Sequence, residues 1–485
     1  MANAPIRLRV RMYQVGFGDC FLLTFEYAAP LADGRAVRHM LIDFGTTSLP
    51  GWDSLATPAR WIKQHTAGEI DVVVVSHRHR DHLSAFGQKS LMNGFFAVGY
   101  PRLVVRSWTE DPDLDSNAVG PASRLLLRTI GAAQRFSAAL AGQMGLPPAR
   151  SLAADVRQVA DDQLSDPAAV VALAGWARGR GRYLFYGVRS GIESFIPGLR
   201  VKVLGPPTVE QHPEVAKQRS RDPEEFWMFY RNLVEKLPAA AVDEAERADA
   251  VPDASLAESP DAGDDRLPPA LDAPSPARAF GDPGPVRWLT DRMSRQQLGS
   301  LLRIAHLLDD VLNNTSLILL FELDTGAGPI RLLFPGDAQI ENWDYALKVA
   351  RAKVPNRRLL RSVDLYKVGH HGSRNATPRT LYNLWTEPVS INRPLVALMS
   401  TKPGVHGKTE ATRVPRRTLV AALDTRTREH LFSTEGITAA EPFVELVADL
   451  NQGRAFQTVT IGSRRKGFAI DGPAEDIGEP PVDDD

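Results

Sequence analysis

Cysteine is nearly missing from this chain. Cys20 is the only one among 485 residues, so no disulfide can form within the chain. Long apolar runs are missing too. None approaches the roughly 20 residues that a bilayer-spanning helix needs, and the first fifteen residues, MANAPIRLRVRMYQV, contain no apolar core of a secretory signal. Aromatic residues make up 7% of the sequence, with no aromatic-rich stretch on which single-stranded bases would stack. No G-x-G-x-x-G follows a strand and opens a helix, which sets dinucleotide binding aside. These absences lead us to expect a cytoplasmic protein without a membrane-bound part.

Nor is there an excess of charge of either sign overall, since the formal net charge is −1. That balance hides a segregation. The segment Ala239–Gly284 holds eleven Asp or Glu against three Arg, and the tail Asp471–Asp485 holds seven acids and no base. Subtracting these −8 and −7 contributions from −1 leaves +14 on the rest of the chain. A positive field of that size attracts polyanions if its charges cluster; spread out, it is ordinary solvated surface.

Hydrophobic residues make up 43% and charged residues 24% of the chain, ordinary values for a globular protein with a sizeable core. Composition divides the sequence into a folded part at 1–237, an Ala/Asp/Pro-rich segment at 238–285 expected to be disordered, a second folded part at 286–470, and the acidic tail at 471–485, also expected to be disordered. The first folded part opens with strands over Arg7–Val15, Phe21–Tyr27 and His39–Gly45. A helix capped at Thr57-Pro58 follows, then the strand Val72–Val75. Pro121–Gly175 reads as helical, Gly198–Pro207 as a strand, and Asp222–Glu225 as the start of another helix. The second part has a capping box at Ser294–Gln297, then strands over Ser316–Glu322, Pro329–Phe334, Val363–Val368 and Leu395–Ser400. This alternation predicts a layered α/β protein with helices outside packed sheets.

What the chain has in abundance is histidine at the end of one apolar strand. Val72–Gly87 reads VVVVSHRHRDHLSAFG. The valine run suits a strand buried on both faces, whose end is a rigid platform for a loop that aims side chains at one point. His77 and His79 are two apart and can chelate one ion. Asp81 and His82 come as the chain turns and can reach a second. Two more strand ends offer partners: Asp337 in LLFPGDAQ, and His370 with His371 in DLYKVGHHGSRNATP. A histidine set accompanied by carboxylates suits a divalent cation, whose charge neutral imidazoles alone leave uncompensated.

This H-x-H-x-D-H block, the later strand–Gly–Asp and the terminal strand–His resemble the metallo-β-lactamase fold hydrolases. The match is closer to the hydrolase domain of ComEC-type DNA-uptake proteins. VGFGDCFLL, LIDFG, VLGPP, NNTSLILLFE, FPGDA, KVGHHGSRNAT, VALMST and FSTEG match that group in kind and order, over about Arg7 to Gly436. The group's membrane channel has no counterpart here. The resemblance implies an αββα sandwich with helical insertions, of which 1–237, with a helical insertion, and 286–470 are the two halves. It implies two divalent ions, zinc or manganese: the first on His77 and His79, the second on Asp81 and His82, with Asp337 bridging. His370, first after its strand, is expected to complete the second site, with His371 as the alternative. A further histidine that many members place on the first metal would here be His212 or His306.

Two ions so placed can share a water and make it nucleophilic near neutral pH, leaving Asp81 or a metal-bound water to carry a proton to the leaving group. Lys367, Ser373, Arg374 and Asn375 surround the histidine pair and, with the helix start at Thr377-Pro378, are candidates to bind phosphate. His406, in KPGVHGKTEATRVP, is a candidate for metal or substrate. Arg78 and Arg80 face either substrate or solvent, Asn313 and Asn314 either line the pocket or form a turn, and Cys20 reads as core. Asp19 and Asp43 read as residues that orient ligands rather than bind metal. The expected function is a metal-dependent phosphodiesterase, in particular a nuclease acting on DNA or RNA. The alternative is a hydrolase of a small ester, lactone or nucleotide on the same fold, and an interaction protein with a merely structural site is a third reading. A nuclease free in the cytoplasm needs restraint, which leaves room for a regulatory partner protein or for the acidic segment as a self-inhibiting arm.

Overall fold

The computed structural model describes residues 4–111, 166–213, 313–385, 394–405 and 413–467, apart from isolated positions between elements. The acidic segment, the C-terminal tail, the helices expected after Asp222 and Ser294, most of Pro121–Gly175, and His306 and His406 lie outside the described residues.

Among the described residues, fifteen strands form two mixed sheets. In chain order they are β1 (Pro5–Tyr13), β2 (Cys20–Tyr27), β3 (Val37–Phe44), β4 (Val72–Val74), β5 (Leu103–Ser107), β6 (Gly181–Leu184), β7 (Leu199–Gly205), β8 (Ile318–Leu323), β9 (Ile330–Phe334), β10 (Leu365–Lys367), β11 (Val396–Met399), β12 (Leu431–Ser433), β13 (Phe443–Asp449), β14 (Arg454–Ile461) and β15 (Arg464–Gly467). The first sheet runs β15-β14-β13-β1-β2-β3-β4-β5-β6 and the second β12-β11-β10-β9-β8-β7. The two folded parts read from composition therefore interleave: β7 joins the second sheet, and β13 returns to pair with β1, Val10 facing Leu446.

Three apolar clusters among the described residues explain the layering. One joins the sheets face to face, with Val10, Leu23, Ile42 and Val74 from the first and Leu319, Phe321, Leu332 and Leu398 from the second. Alternate residues of the same strands, Leu22, Leu41, Val73 and Val104, pack outward on the helices Ala56–Thr66 and Pro167–Ala177. On the other side Leu320, Leu333, Tyr366 and Ala397 meet Trp343, Leu347, Leu360 and Leu423 from helical segments. A side-chain period of two with both faces covered calls for an unbroken apolar strand, which is why Val72–Val75 reads as it does. The helix expected with Thr57 as cap and Pro58 in its first turn starts two residues earlier, with Leu55 at the cap, Ala56 as its first residue and no side-chain cap bond, so Thr57 is inside the first turn.

The sheet order decides where the site forms. β3, β4 and β5 are parallel neighbours, and so are β9, β10, β11 and β12. Leu317 N–H donates to the Ser76 carbonyl at 2.9 Å, which ties the end of β4 to the start of β8. The carboxyl ends of β3, β4, β9, β10 and β11 thus open on one edge, the usual place for ligands in α/β sheets. Among the described residues no helix is long and apolar enough to cross a membrane.

Candidate metal centre

Four buried side chains meet at that edge: Asp81, His82, Asp337 and His371. One ligand atom from each lies within 4.8 Å of the others. Asp81 and His82 sit on a single helical turn, Arg80–Leu83, with His79 as its extended N-cap. That turn rests directly on the backbone of two loops. A Cβ on Gly45 would lie 2.5 Å from the Arg80 carbonyl oxygen, and one on Gly18 would lie 2.6 Å from that of Asp81. Asp19 N–H donates to the Asp81 carbonyl at 2.9 Å. The glycines of VGFGDC and LIDFG are therefore required by close backbone approach.

The two histidines are held in the tautomer that metal binding needs. The Nδ1 of His371 is 2.9 Å from the Ser400 carbonyl, which can only accept, so Nδ1 carries the proton. The Nδ1 of His82 is 2.8 Å from Asp43 Oδ2. Asp43 is itself locked, accepting from Ser76 N–H and Ser76 Oγ, both at 2.7 Å. It sits at a left-handed φ of 55°, a conformation Asp tolerates better than most residues. Both Nε2 atoms then face carboxylates: His82 is 3.0 Å from Asp337 Oδ2, and His371 is 2.9 Å from Asp81 Oδ2 and 3.5 Å from Asp337 Oδ2. A nitrogen lone pair that close to a carboxylate oxygen is repulsive unless a proton or a metal ion lies between them, so the pocket is built to hold positive charge at this point.

The electrostatics express the same demand. Burial alone drives His82 and His371 towards the neutral form, yet the carboxylates, Asp337 foremost, outweigh it and raise both above an ordinary imidazole. Burial also works against ionisation of Asp81 and Asp337, but the facing histidines, joined at Asp337 by Lys367, hold both below the usual carboxylate range. Asp81 Oδ1 is buried and has no hydrogen-bond partner among the described residues. An orphaned carboxylate oxygen beside two imidazole Nε2 atoms and a second carboxylate is a donor set that fits a divalent metal ion.

A second buried group, Asp19, Asp43 and His82, adjoins the first. Here the protein supplies its own cation. Lys367 is almost wholly buried; its Nζ pairs with Asp19 Oδ2, lies 3.2 Å from Asp337 Oδ1 and donates to the Gly336 carbonyl at 3.0 Å. It braces the acidic residues from within the sheets, so Lys367, expected as a candidate to bind phosphate, is instead directed by β10 into the core and occupied by Asp19 and Asp337.

The expected preference for His370 is also corrected, in that the structure brings His371 to the cluster. Both residues adopt left-handed φ values, 40° and 51°, and the chain doubles back. His370 contributes its backbone N–H, 3.1 Å from Asp337 Oδ1, while its half-buried ring Nδ1 is 2.9 Å from Ser373 Oγ. Ser373 also donates to Asn375 Oδ1 at 3.0 Å, both residues being buried, and Arg374 is half-buried. Thr377 is enclosed against the Tyr366 hydroxyl at 2.8 Å, and the helix after it, Arg379–Tyr382, has only one turn.

His77 and His79 do meet. His77 Nε2 is 2.9 Å from His79 Nδ1, and the His77 ring is 4.2 Å from that of His82. They adjoin the four-residue group without entering it. Arg78 forms a two-pronged pair with Glu110, at 2.6 and 2.7 Å, clamping the loop to the end of β5, and Arg80 is exposed. His212 packs against the Tyr345 ring at 5.7 Å, away from the cluster. Asn313 and Asn314 are buried, Asn314 donating to Glu341 at 3.1 Å, and Cys20 is buried in β2.

Reading the sequence missed Ser76, Ser400 and Glu110. Ser76 precedes the histidine block and Ser400 ends VALMS; position after a strand is the only signal either carries. Glu110 is separated from Arg78 by a whole strand and carries none. Neither a scan against protein-family models nor a search of curated proteins found a match to this chain.

Proposed function

We propose that this chain is a hydrolase dependent on two divalent metal ions, zinc or manganese, that cleaves phosphodiester bonds of DNA or RNA in the cytoplasm. The proposal includes membership of the metallo-β-lactamase fold group, with the αββα sandwich of that group and a site like that of the ComEC-type hydrolase domains. The observation that carries it is the buried Asp81–His82–Asp337–His371 group, in which both Nε2 atoms face carboxylates. Bound there, divalent ions supply a water nucleophilic near neutral pH and neutralise charge on the phosphoryl oxygens.

The protein's own part is positioning. Asp81, His82, Asp337 and His371 would hold one ion, and His77 and His79 beside them would be the residues to hold a second. Asp43 and the Ser400 carbonyl fix the histidine tautomers, which keeps the Nε2 lone pairs aimed at the metal. Lys367 offsets the charge of Asp19 and of the inner oxygen of Asp337, leaving Asp337 Oδ2 directed at the site. With one Asp81 oxygen facing His371, the other, Oδ1, would be available either as a further ligand or to take up a proton during hydrolysis.

The test is cleavage of labelled single- and double-stranded DNA and RNA with Mn²⁺ or Zn²⁺, alongside an Asp81→Ala protein purified identically. Bis-p-nitrophenyl phosphate and simple esters and lactones are assayed in parallel. Metal-dependent cutting by the parent alone supports the reading. Turnover of esters or lactones without any phosphodiester would replace it with the small-molecule alternative.

A further inference from the structure

A second feature lies on the outer face of the six-stranded sheet. Between residues 345 and 363 the chain carries Lys348, Arg351, Lys353, Arg357, Arg358 and Arg361 and no acid. All six are exposed. Lys348 pairs with Asp344 at 3.1 Å. The other five make no ion pair or side-chain hydrogen bond among the described residues, although elsewhere on this protein arginines such as Arg9, Arg35 and Arg200 are matched to carboxylates.

These cations are rigidly presented. The helix Lys353–Arg361 is anchored by buried Leu360 and by Asn356, whose side chain donates to the Tyr186 hydroxyl and the Ala346 carbonyl, both at 2.9 Å. Lys353, Arg357 and Arg361 are four residues apart, one above another on one face, with about 6 Å of rise between successive charges. Arg358 and Arg351 flank that row. The helix leads into β10, and the end of β10 bears His371.

An unpaired row of this kind calls for an anionic partner with repeated charges. Arginine's planar fork matches phosphate oxygens two at a time. The apolar content of the exposed face is limited to Val349, Val354 and Pro355, too little for insertion into a lipid surface. We infer that the face formed by Arg351, Lys353, Arg357, Arg358 and Arg361 is a docking surface for the phosphate backbone of a nucleic acid, separate from the metal centre. This inference rests on the proposed phosphodiesterase reading for its purpose, but not for its chemistry.

The test uses the full chain with Arg357, Arg358 and Arg361 each changed to Glu, beside a variant with the same three changed to Lys. Binding of fluorescein-labelled DNA, single-stranded and duplex, is followed by anisotropy in EDTA across a salt series. The Glu variant is expected to bind at least 10-fold more weakly at low salt. The slope of log K against log salt should fall by about 2–3, since each lost phosphate contact removes roughly 0.7–0.9. The Lys variant is expected to keep most of the slope. Unchanged melting temperatures check that both variants fold, and hydrolysis of bis-p-nitrophenyl phosphate should be the same in all three proteins. An unchanged affinity and slope in the Glu variant overturns the docking surface. So does loss of binding to phosphatidylserine vesicles without loss of DNA binding, or a rise in DNA affinity on charge reversal. Failure of the parent to hydrolyse any phosphodiester, with DNA binding and its salt slope intact, rejects the catalytic reading alone.

Discussion

Replacing Lys367 with Met is the sharpest test of how the buried charge is balanced. The substitution keeps the length of the apolar stem and deletes the ammonium. In the parent that ammonium touches Asp19 and lies 3.2 Å from Asp337, and all three residues are at most 2% exposed. At an effective dielectric of about 20, one charge pair at this distance is worth about 5 kcal/mol. Desolvation of the lysine offsets part of this. What remains is the cost of stranding buried carboxylates, about 3–5 kcal/mol when one partner of such a pair is removed. Metal-free Lys367→Met is therefore expected to unfold at a clearly lower denaturant concentration, followed by fluorescence of the buried Trp343 and Trp385. Added Mn²⁺ or Zn²⁺ should restore more stability to the variant than to the parent, because a bound ion takes over part of the missing charge; saturation at 100-fold over Kd is worth about 2.7 kcal/mol. A variant within about 1 kcal/mol of the parent without metal would refute the reasoning, since the carboxylates would then not depend on Lys367.

Three further predictions follow from the same geometry. His371→Ala is expected to lower metal affinity far more than His370→Ala, since only the His371 ring faces Asp81 and Asp337; calorimetric titration with Zn²⁺ compares them, and equal losses would contradict the assignment. Asp43→Asn should weaken metal binding by about 10–100-fold while leaving the fold intact by circular dichroism, because it loosens the tautomer and orientation of His82. Stability should also fall in mild acid through His39, buried in β3 against Thr24 Oγ1 at 3.1 Å. Burial first, then Arg35 and Arg11, push its pKa down to about 3 from 6.5. Between those values the unfolded chain binds a proton that the folded chain does not, so stability present above pH 6.5 is lost as pH falls towards 3, by about 1.4 kcal/mol per unit. His39→Gln should show a shallower loss between pH 6.5 and 4.5, and equal slopes would exclude the histidine as the cause.

How much of this was legible beforehand depended on the range of the interaction. Strands such as β2, β4, β9 and β11 announce themselves because burial on both faces requires an unbroken apolar run, and periodicity is a local property. The candidate ligands were legible for a related reason: His77, His79, Asp81, His82, Asp337 and the histidine pair each stand just after such a run. β5, β6, β12 and β15 are too short to stand out, and β13, which carries β14 and β15 with it, takes its place through its register with β1, more than 400 residues away. The choice between His370 and His371 was beyond any local rule, because it turns on two successive left-handed residues that send one ring outward and the next inward.

What the sequence determined by itself was therefore the inventory: the chemistry of the side chains, the strand ends that bear them, and the segregation of acidic from basic stretches. Packing made the assignments. It made Lys367, a candidate phosphate binder, the counter-charge of Asp19 and Asp337, tied Arg78 to Glu110, seated the Asp81 turn on Gly18 and Gly45, and set Asp43 and Ser400 behind the two histidines. Residue type and spacing record what a side chain can do. Which partner it meets is set by packing two sheets edge to edge and face to face, and that geometry is shared among segments that are far apart in the chain.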